Sequence, residues 1–122
     1  MPTVLLVDDE AVIRMSLRET LQDVGLEVVE ASNGEEASRV INSLAKIDLV
    51  MTDLTMPGKI QGSEIIELTK YKRPEAHIVA FSGNPDLIDR VAAAHVLHKP
   101  FDCNDAGELA LRLLNIRTSA QQ

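Results

Sequence analysis

Val4-Leu5-Leu6-Val7-Asp8-Asp9-Glu10 is a four-residue apolar run that stops abruptly on three acids. A short run rich in branched aliphatic residues reads as a strand buried on both faces. Four more runs follow it: Val28-Val29, Ile47 to Met51, Ile78 to Phe81 and Val96-Leu97. Between the runs the apolar spacing changes to that of a helix face. Ile13, Leu17, Leu21 and Val24 make one stripe, and Ala37, Val40, Ile41 and Leu44 a second. Ala106, Leu109, Ala110, Leu113 and Leu114 make a third. Gly25 stands where a left-handed residue closes the first helix. Asn84-Pro85 supplies a cap and a first-turn proline for a helix carrying Leu87, Ile88 and Val91.

Strand and helix therefore alternate five times, which predicts an α/β fold with helices on both faces of a parallel sheet. The 122 residues suffice for one domain, with a core over about residues 3–115 and a polar tail over 118–122. With three aromatics (Tyr71, Phe81, Phe101), the core must be aliphatic. A formal charge of −7 opposes binding to nucleic acid or to an anionic membrane surface, both of which need a cationic footprint. No apolar run approaches the ~20 residues that span a bilayer. Met1-Pro2-Thr3 lacks the basic-then-apolar opening of a signal peptide. Cys103, the single cysteine, has no internal disulfide partner and fits a reducing cytoplasm. No resolving cysteine exists, so it reads as a packing residue.

In a doubly wound sheet, ligands bind beyond the carboxyl ends of the strands. Those ends carry Asp8-Asp9-Glu10, Asp53, Ser82-Gly83 and Lys99-Pro100-Phe101. Taken singly, Asp8 and Asp9 read as caps of a helix beginning near Ala11, and Asp53 as a turn residue before Met56-Pro57-Gly58. Ser82-Gly83 alone reads as a turn and Lys99 as a solvated lysine. Together they fall on one edge of one sheet and read as a site. Two carboxylates ~4 Å apart repel by about 4 kcal/mol at an effective dielectric of 20, so the cluster calls for a cation or a proton. Oxygen-only donors with no paired His or Cys suit Mg²⁺, which readily shares a phosphate. Lys99 and Ser82 suit phosphoryl oxygens as point charge and hydrogen-bond donor.

The strings Leu6-Val7-Asp8-Asp9-Glu10, Asp53-Leu54-Thr55-Met56-Pro57-Gly58, Phe81-Ser82-Gly83 and Lys99-Pro100-Phe101 resemble the receiver domain of two-component response regulators. The resemblance runs from about Thr3 to Leu114 with the four motifs in order. It implies a flavodoxin-like, doubly wound, five-stranded parallel sheet of order 2-1-3-4-5 flanked by five helices. Asp53 is implied to be the phospho-acceptor, forming an aspartyl phosphate from a phosphohistidine. Asp8, Asp9, Asp53 and the backbone carbonyl of Thr55 are the implied Mg²⁺ ligands, with Mn²⁺ as a substitute. Lys99 pairs with the phosphoryl group, and Ser82 moves toward it and reports its arrival. The implied partners are a histidine kinase or histidine phosphotransfer protein and a downstream protein effector, in the cytoplasm. The implied role is a phospho-acceptor switch, not an enzyme with turnover beyond its own phosphoryl transfer and autodephosphorylation.

Three departures from the family pattern are visible. The position three before the lysine, usually aromatic, is Val96, with His98 on the same strand face. Only seventeen positions separate Ser82 from Lys99, predicting a short fourth helix and arguing against the usual dimer face. Gly62 falls one place later after Asp53 than usual, predicting a longer loop through Lys59-Ile60-Gln61. The last two together resemble receivers attached to hybrid sensor kinases.

Overall fold

In a computed structural model of the chain, the structure describes residues 1–43, 46–88 and 95–116. Five strands, β1 (Thr3–Val7), β2 (Glu27–Ala31), β3 (Leu49–Asp53), β4 (His77–Ser82) and β5 (His95–His98), form one parallel sheet of order β2-β1-β3-β4-β5. Four helices of nine to thirteen residues connect and cover them: α1 (Ala11–Asp23), α2 (Gly34–Asn42), α3 (Gly62–Lys72) and α5 (Cys103–Leu113). Of the expected fourth helix, the described residues include one turn, α4 (Pro85–Ile88), introduced by Asn84, whose Oδ1 accepts from Asp86 N–H at 3.0 Å. Leu44, Val91 and the polar tail lie outside the described residues. Among the described residues, no helix is long and apolar enough to cross a membrane.

Alternation along the strands sorts the core to the two faces. Val4, Leu6, Leu49, Met51, Val79 and Phe81 pack under α1 and α5 with Leu17, Leu21, Ala106 and Ala110. Leu5, Val7 and Val50 pack on the other face with Ala37 and Ile41 of α2 and Ile65 of α3. Burying one such side chain contributes roughly 1.5–3 kcal/mol, so this two-sided aliphatic core dispenses with aromatic bulk. The expectation that every strand is buried on both faces holds for β1, β3 and β4. It does not hold for β2 and β5, which are half-exposed because they are the sheet's edges.

The strands also outrun the apolar runs. β3 starts at Leu49 rather than Ile47 and continues through the polar but buried Thr52 and Asp53. Backbone pairing does not depend on side-chain polarity, so the ladder carries on past the last aliphatic residue. Gly25 closes α1 at φ +92°, donating its N–H to Gln22 O at 3.0 Å, as the sequence predicts. Val24, by contrast, caps α1 and is exposed, while Leu26 takes the buried place after the turn.

Candidate functional site

The sheet's hydrogen-bond ladder delivers the site residues to one edge. Asp8 N–H bonds Ala31 O at 3.2 Å, Leu54 N–H bonds Phe81 O at 3.0 Å, and Lys99 N–H bonds Ser82 O at 3.0 Å. Each is one residue beyond its strand, so the backbone stays in register where the side chains begin to act. Asp8 is fully buried; its Oδ1 accepts Glu10 N–H at 2.8 Å and its carbonyl accepts Arg14 Nη1 at 2.7 Å. Arg14 is tethered in turn to Glu30 of β2 at 3.0 Å. Asp53 is 5% exposed, and its Oδ1 accepts Thr55 N–H at 3.1 Å.

Lys99 unites the site. Its Nζ lies 2.8 Å from Asp53 Oδ2, 3.0 Å from Asp8 Oδ2 and 3.0 Å from Glu10 Oε1. The ammonium is set 5.8 Å from the Phe81 ring centroid, and Phe81 in turn packs on Phe101 at 5.3 Å. Far from being solvated, the Lys99 side chain is 15% exposed. Burial pulls its pKa down, but hydrogen bonds to Asp53, Asp8 and Glu10 outweigh burial and hold it above the usual lysine value.

Three carboxylates against one ammonium leave a local charge of −2 if all are ionised. The consequence is seen at Asp8. Burial raises its pKa above the ordinary carboxylate value, against the opposing pull of the Glu10 N–H and of Lys99. Asp8 Oδ2 is buried and ion-paired with Lys99 Nζ at 3.0 Å, and no backbone or neutral donor bonds it. Lys99 is shared among three acids, so the buried Asp8 oxygen is only partly compensated, and a further cation or a proton would relieve it. The carboxylates of Asp8, Glu10 and Asp53 each bring an oxygen to within 4.8 Å of the others. An all-oxygen donor set with excess negative charge fits a hard divalent cation.

Of the residues named from sequence, Asp8, Asp53 and Lys99 are brought together. Thr55 meets Asp53 through its backbone N–H, its side chain being exposed. Asp9 is exposed and outside the carboxylate group. Ser82 is 2% exposed at the end of β4, next to Asp53 in the sheet order; its Oγ accepts Asn84 N–H at 2.9 Å. Sequence reasoning placed Glu10 at the strand end without giving it a role, whereas its carboxylate is the third acid of the cluster. The signal was its place in the Asp8-Asp9-Glu10 run. Cys103 is half-buried among core residues, and burial pushes its thiol pKa up, the opposite direction from that of a reactive thiolate.

The family described as response regulator receiver domain matches residues 4–109. The transcriptional regulatory protein PdtaR of Mycobacterium tuberculosis is 41% identical over 109 residues, covering 84% of this chain and 51% of that protein. The autoinducer 1 sensor kinase/phosphatase LuxN of Vibrio harveyi is 32% identical over 124 residues, covering 98% of this chain and 14% of that protein. Among solved structures, the response regulator TrrA from Thermotoga maritima, in complex with Mg²⁺ and BeF, superposes with a TM-score of 0.83 at 34% identity. That match covers 93% of this chain and 99% of TrrA. A receiver protein from Sinorhizobium medicae superposes with a TM-score of 0.87 at 31% identity, covering 96% and 97%. The chain spans about half the length of the first of these curated relatives and about a seventh of the second.

Proposed function

The chain belongs to the response regulator receiver family, a component of phosphorelay signalling, and from that premise we propose that Asp53 is its phospho-acceptor. The observation that carries this reading is the Lys99 ammonium, held 2.8 Å from the buried Asp53 carboxylate at the carboxyl edge of the sheet. In the transfer, a P–O bond forms to an Asp53 oxygen as the P–N bond to the donor histidine breaks, and the leaving imidazole takes up a proton. Lys99 offsets the charge of the arriving phosphoryl oxygens, and the Thr55 N–H at Asp53 Oδ1 orients the nucleophile. Asp8, Asp9, Asp53 and the Thr55 carbonyl are the residues that would hold Mg²⁺, or Mn²⁺ in its place. Asp9, exposed beside Asp8, would have to turn in toward the cluster, where the carboxylate of Glu10 is paired with Lys99. Once bound, that ion supplies further charge neutralisation. Ser82, beside the acceptor, would exchange its bond with Asn84 for one to the phosphoryl group and so report its arrival.

In this reading the domain is a switch whose only covalent chemistry is accepting and losing its own phosphoryl group. The donor is a histidine kinase or histidine phosphotransfer protein, the output is a shape change read by a protein effector, and the setting is the cytoplasm. The curated relatives, a transcriptional regulator and a sensor kinase, are consistent with partners of both kinds. The acidic balance, −7 overall, argues that neither nucleic acid nor an anionic membrane is bound directly.

The experiment is intact-mass spectrometry after incubation with acetyl phosphate and MgCl₂, with Asp53→Asn and a chelator alongside. One phosphoryl adduct, absent from the variant and from the chelated sample, is expected. Equal phosphorylation of Asp53→Asn would show the acceptor to be another residue.

A further inference from the structure

The loop between β3 and α3 contains a clamp that the acceptor chemistry above does not use. Gln61, the last residue before α3, turns its side-chain amide back across the loop. Its Oε1 accepts Met56 N–H at 3.0 Å, and its Nε2 donates to Met56 O at 2.8 Å and Gly58 O at 3.1 Å. The clamp is itself held from outside. Glu35, in the first turn of α2, accepts the N–H groups of Lys59 at 3.1 Å and Ile60 at 3.4 Å through one oxygen, Oε1. Gly58 permits the approach. It turns the loop at φ +102°, and a Cβ there would stand 3.1 Å from Glu35 Oε2.

The grip on Met56 N–H matters because a peptide unit is planar and trans. Met56 N–H and Thr55 C=O belong to one rigid plane and point in opposite directions from it, so fixing the first direction fixes the second. The far side of the same residue is pinned as well: Thr55 N–H bonds Asp53 Oδ1, and the Met56 side chain is buried against α2 and α3. We propose that Gln61, secured by Glu35, is a positioning residue that sets the direction of the Thr55 carbonyl for cation binding at the acidic cluster. This rests on the reading of Thr55 as a ligand given above. A side chain shorter than glutamine would not span from the α3 cap to Met56 across a loop lengthened by one residue.

The test uses the whole chain and MgCl₂ alone as probe, following backbone amide shifts through a titration, with amide hydrogen exchange measured in parallel. Gln61→Ser retains an oxygen suited to the α3 cap but cannot reach Met56. Its expected behaviour is loss of protection at the Met56 amide with protection kept at Leu54 and Gly62, whose N–H groups bond Phe81 O and Leu54 O. The Mg²⁺ dissociation constant should rise about tenfold, the usual scale for losing a group that orients a metal ligand. Phosphoryl uptake from acetyl phosphate should fall at low Mg²⁺ and recover toward wild type at saturation, a split that general loss of structure would not give. If Gln61→Ser does not fold, Glu35→Ala, which releases the N–H groups of Lys59 and Ile60, should weaken Mg²⁺ binding in the same direction. Wild-type Mg²⁺ affinity in a variant whose Met56 amide is exposed overturns the inference and leaves the receiver reading intact. A wild-type protein that binds no Mg²⁺ overturns both.

Discussion

A Cβ placed on Gly62 would stand 2.0 Å from the carbonyl oxygen of Asp53 and 2.6 Å from Leu54 Cα. The first residue of α3 is thus laid directly against the backbone that carries the acceptor, and both obstructing atoms belong to main chain that cannot rotate aside. Gly62 N–H also bonds Leu54 O at 3.3 Å, which holds the helix start there. Gly62→Ala must push α3 away from β3 or bend the end of β3. Overpacking of this kind costs about 3 kcal/mol. Urea unfolding is expected to show that loss, and phosphoryl uptake should fall with it because Asp53 is the displaced residue. An alanine variant as stable as wild type would show that α3 can shift freely.

Asp8 gives a pH-dependent prediction. Burial raises its carboxyl above the ordinary value, so the folded chain binds this proton more tightly than the unfolded chain does. With respect to this group, acid favours folding. The cost of its charge appears as pH rises from the ordinary carboxylate value through the higher folded one. Asp8→Asn removes that charge and keeps an oxygen for the Glu10 N–H. At neutral pH without divalent ions it should stabilise the chain by about 1 kcal/mol, the low end for relieving an unsatisfied buried group. The gain should vanish in acid, where Asp8 is already neutral, and Mg²⁺ should no longer stabilise the variant. Melting temperatures at pH 4 and pH 7, with and without MgCl₂, test all three statements.

Ser82 separates acceptance from signalling. Its hydroxyl contacts Asn84 rather than Asp53 or Lys99, so Ser82→Ala leaves the charged cluster intact. Phosphoryl uptake should stay within about twofold of wild type, because the positioning and neutralising groups are untouched. The amide shifts that beryllofluoride and Mg²⁺ induce in Asn84, Leu87 and residues 95–98 should shrink sharply. Undiminished shifts there would mean that the signal leaves the site by another route.

What the sequence disclosed, and what it withheld, follows from the range of the interactions. The chain runs, the turn at Gly25 and the cap at Asn84 are local, and spacing alone reveals them. Asp8, Asp53 and Lys99 were legible because parallel strands put their carboxyl ends on one edge, whatever the details of packing. The approach of Glu10 to Lys99 spans 89 positions and depends on which way one exposed carboxylate turns. No periodicity records that. The grip of Gln61 on Met56 was equally hidden: the extra loop residue was visible, but its use by a side-chain amide emerges only once the loop is folded. The half-exposure of β2 and β5 needed the strand order, because an edge strand and a central one can carry similar apolar pairs.

Lys99 is the counterweight to Asp8. Removing it as Lys99→Met keeps an unbranched side chain of similar length beside Phe81 and deletes the ammonium that pairs with Asp8, Glu10 and Asp53. Breaking a buried pair by deleting one partner costs about 3–5 kcal/mol. Water reaches the exposed Glu10 side of this cluster, so a loss of about 2 kcal/mol is the better expectation here. The pH dependence of the loss identifies its origin. The pKa of Lys99 is raised by the carboxylates it touches, so its contribution is fully present below the ordinary lysine value and disappears only as pH climbs past the folded one. Across the neutral range, then, the wild type should be nearly indifferent to this group. Lys99→Met should recover stability as pH falls and the carboxylates protonate. Added MgCl₂ should recover it at neutral pH by supplying the missing charge. Urea denaturation of both proteins at pH 5 and pH 7 is the measurement. A constant gap between them at the two pH values would mean that lost packing over Phe81, and not uncompensated charge, is what the lysine prevents.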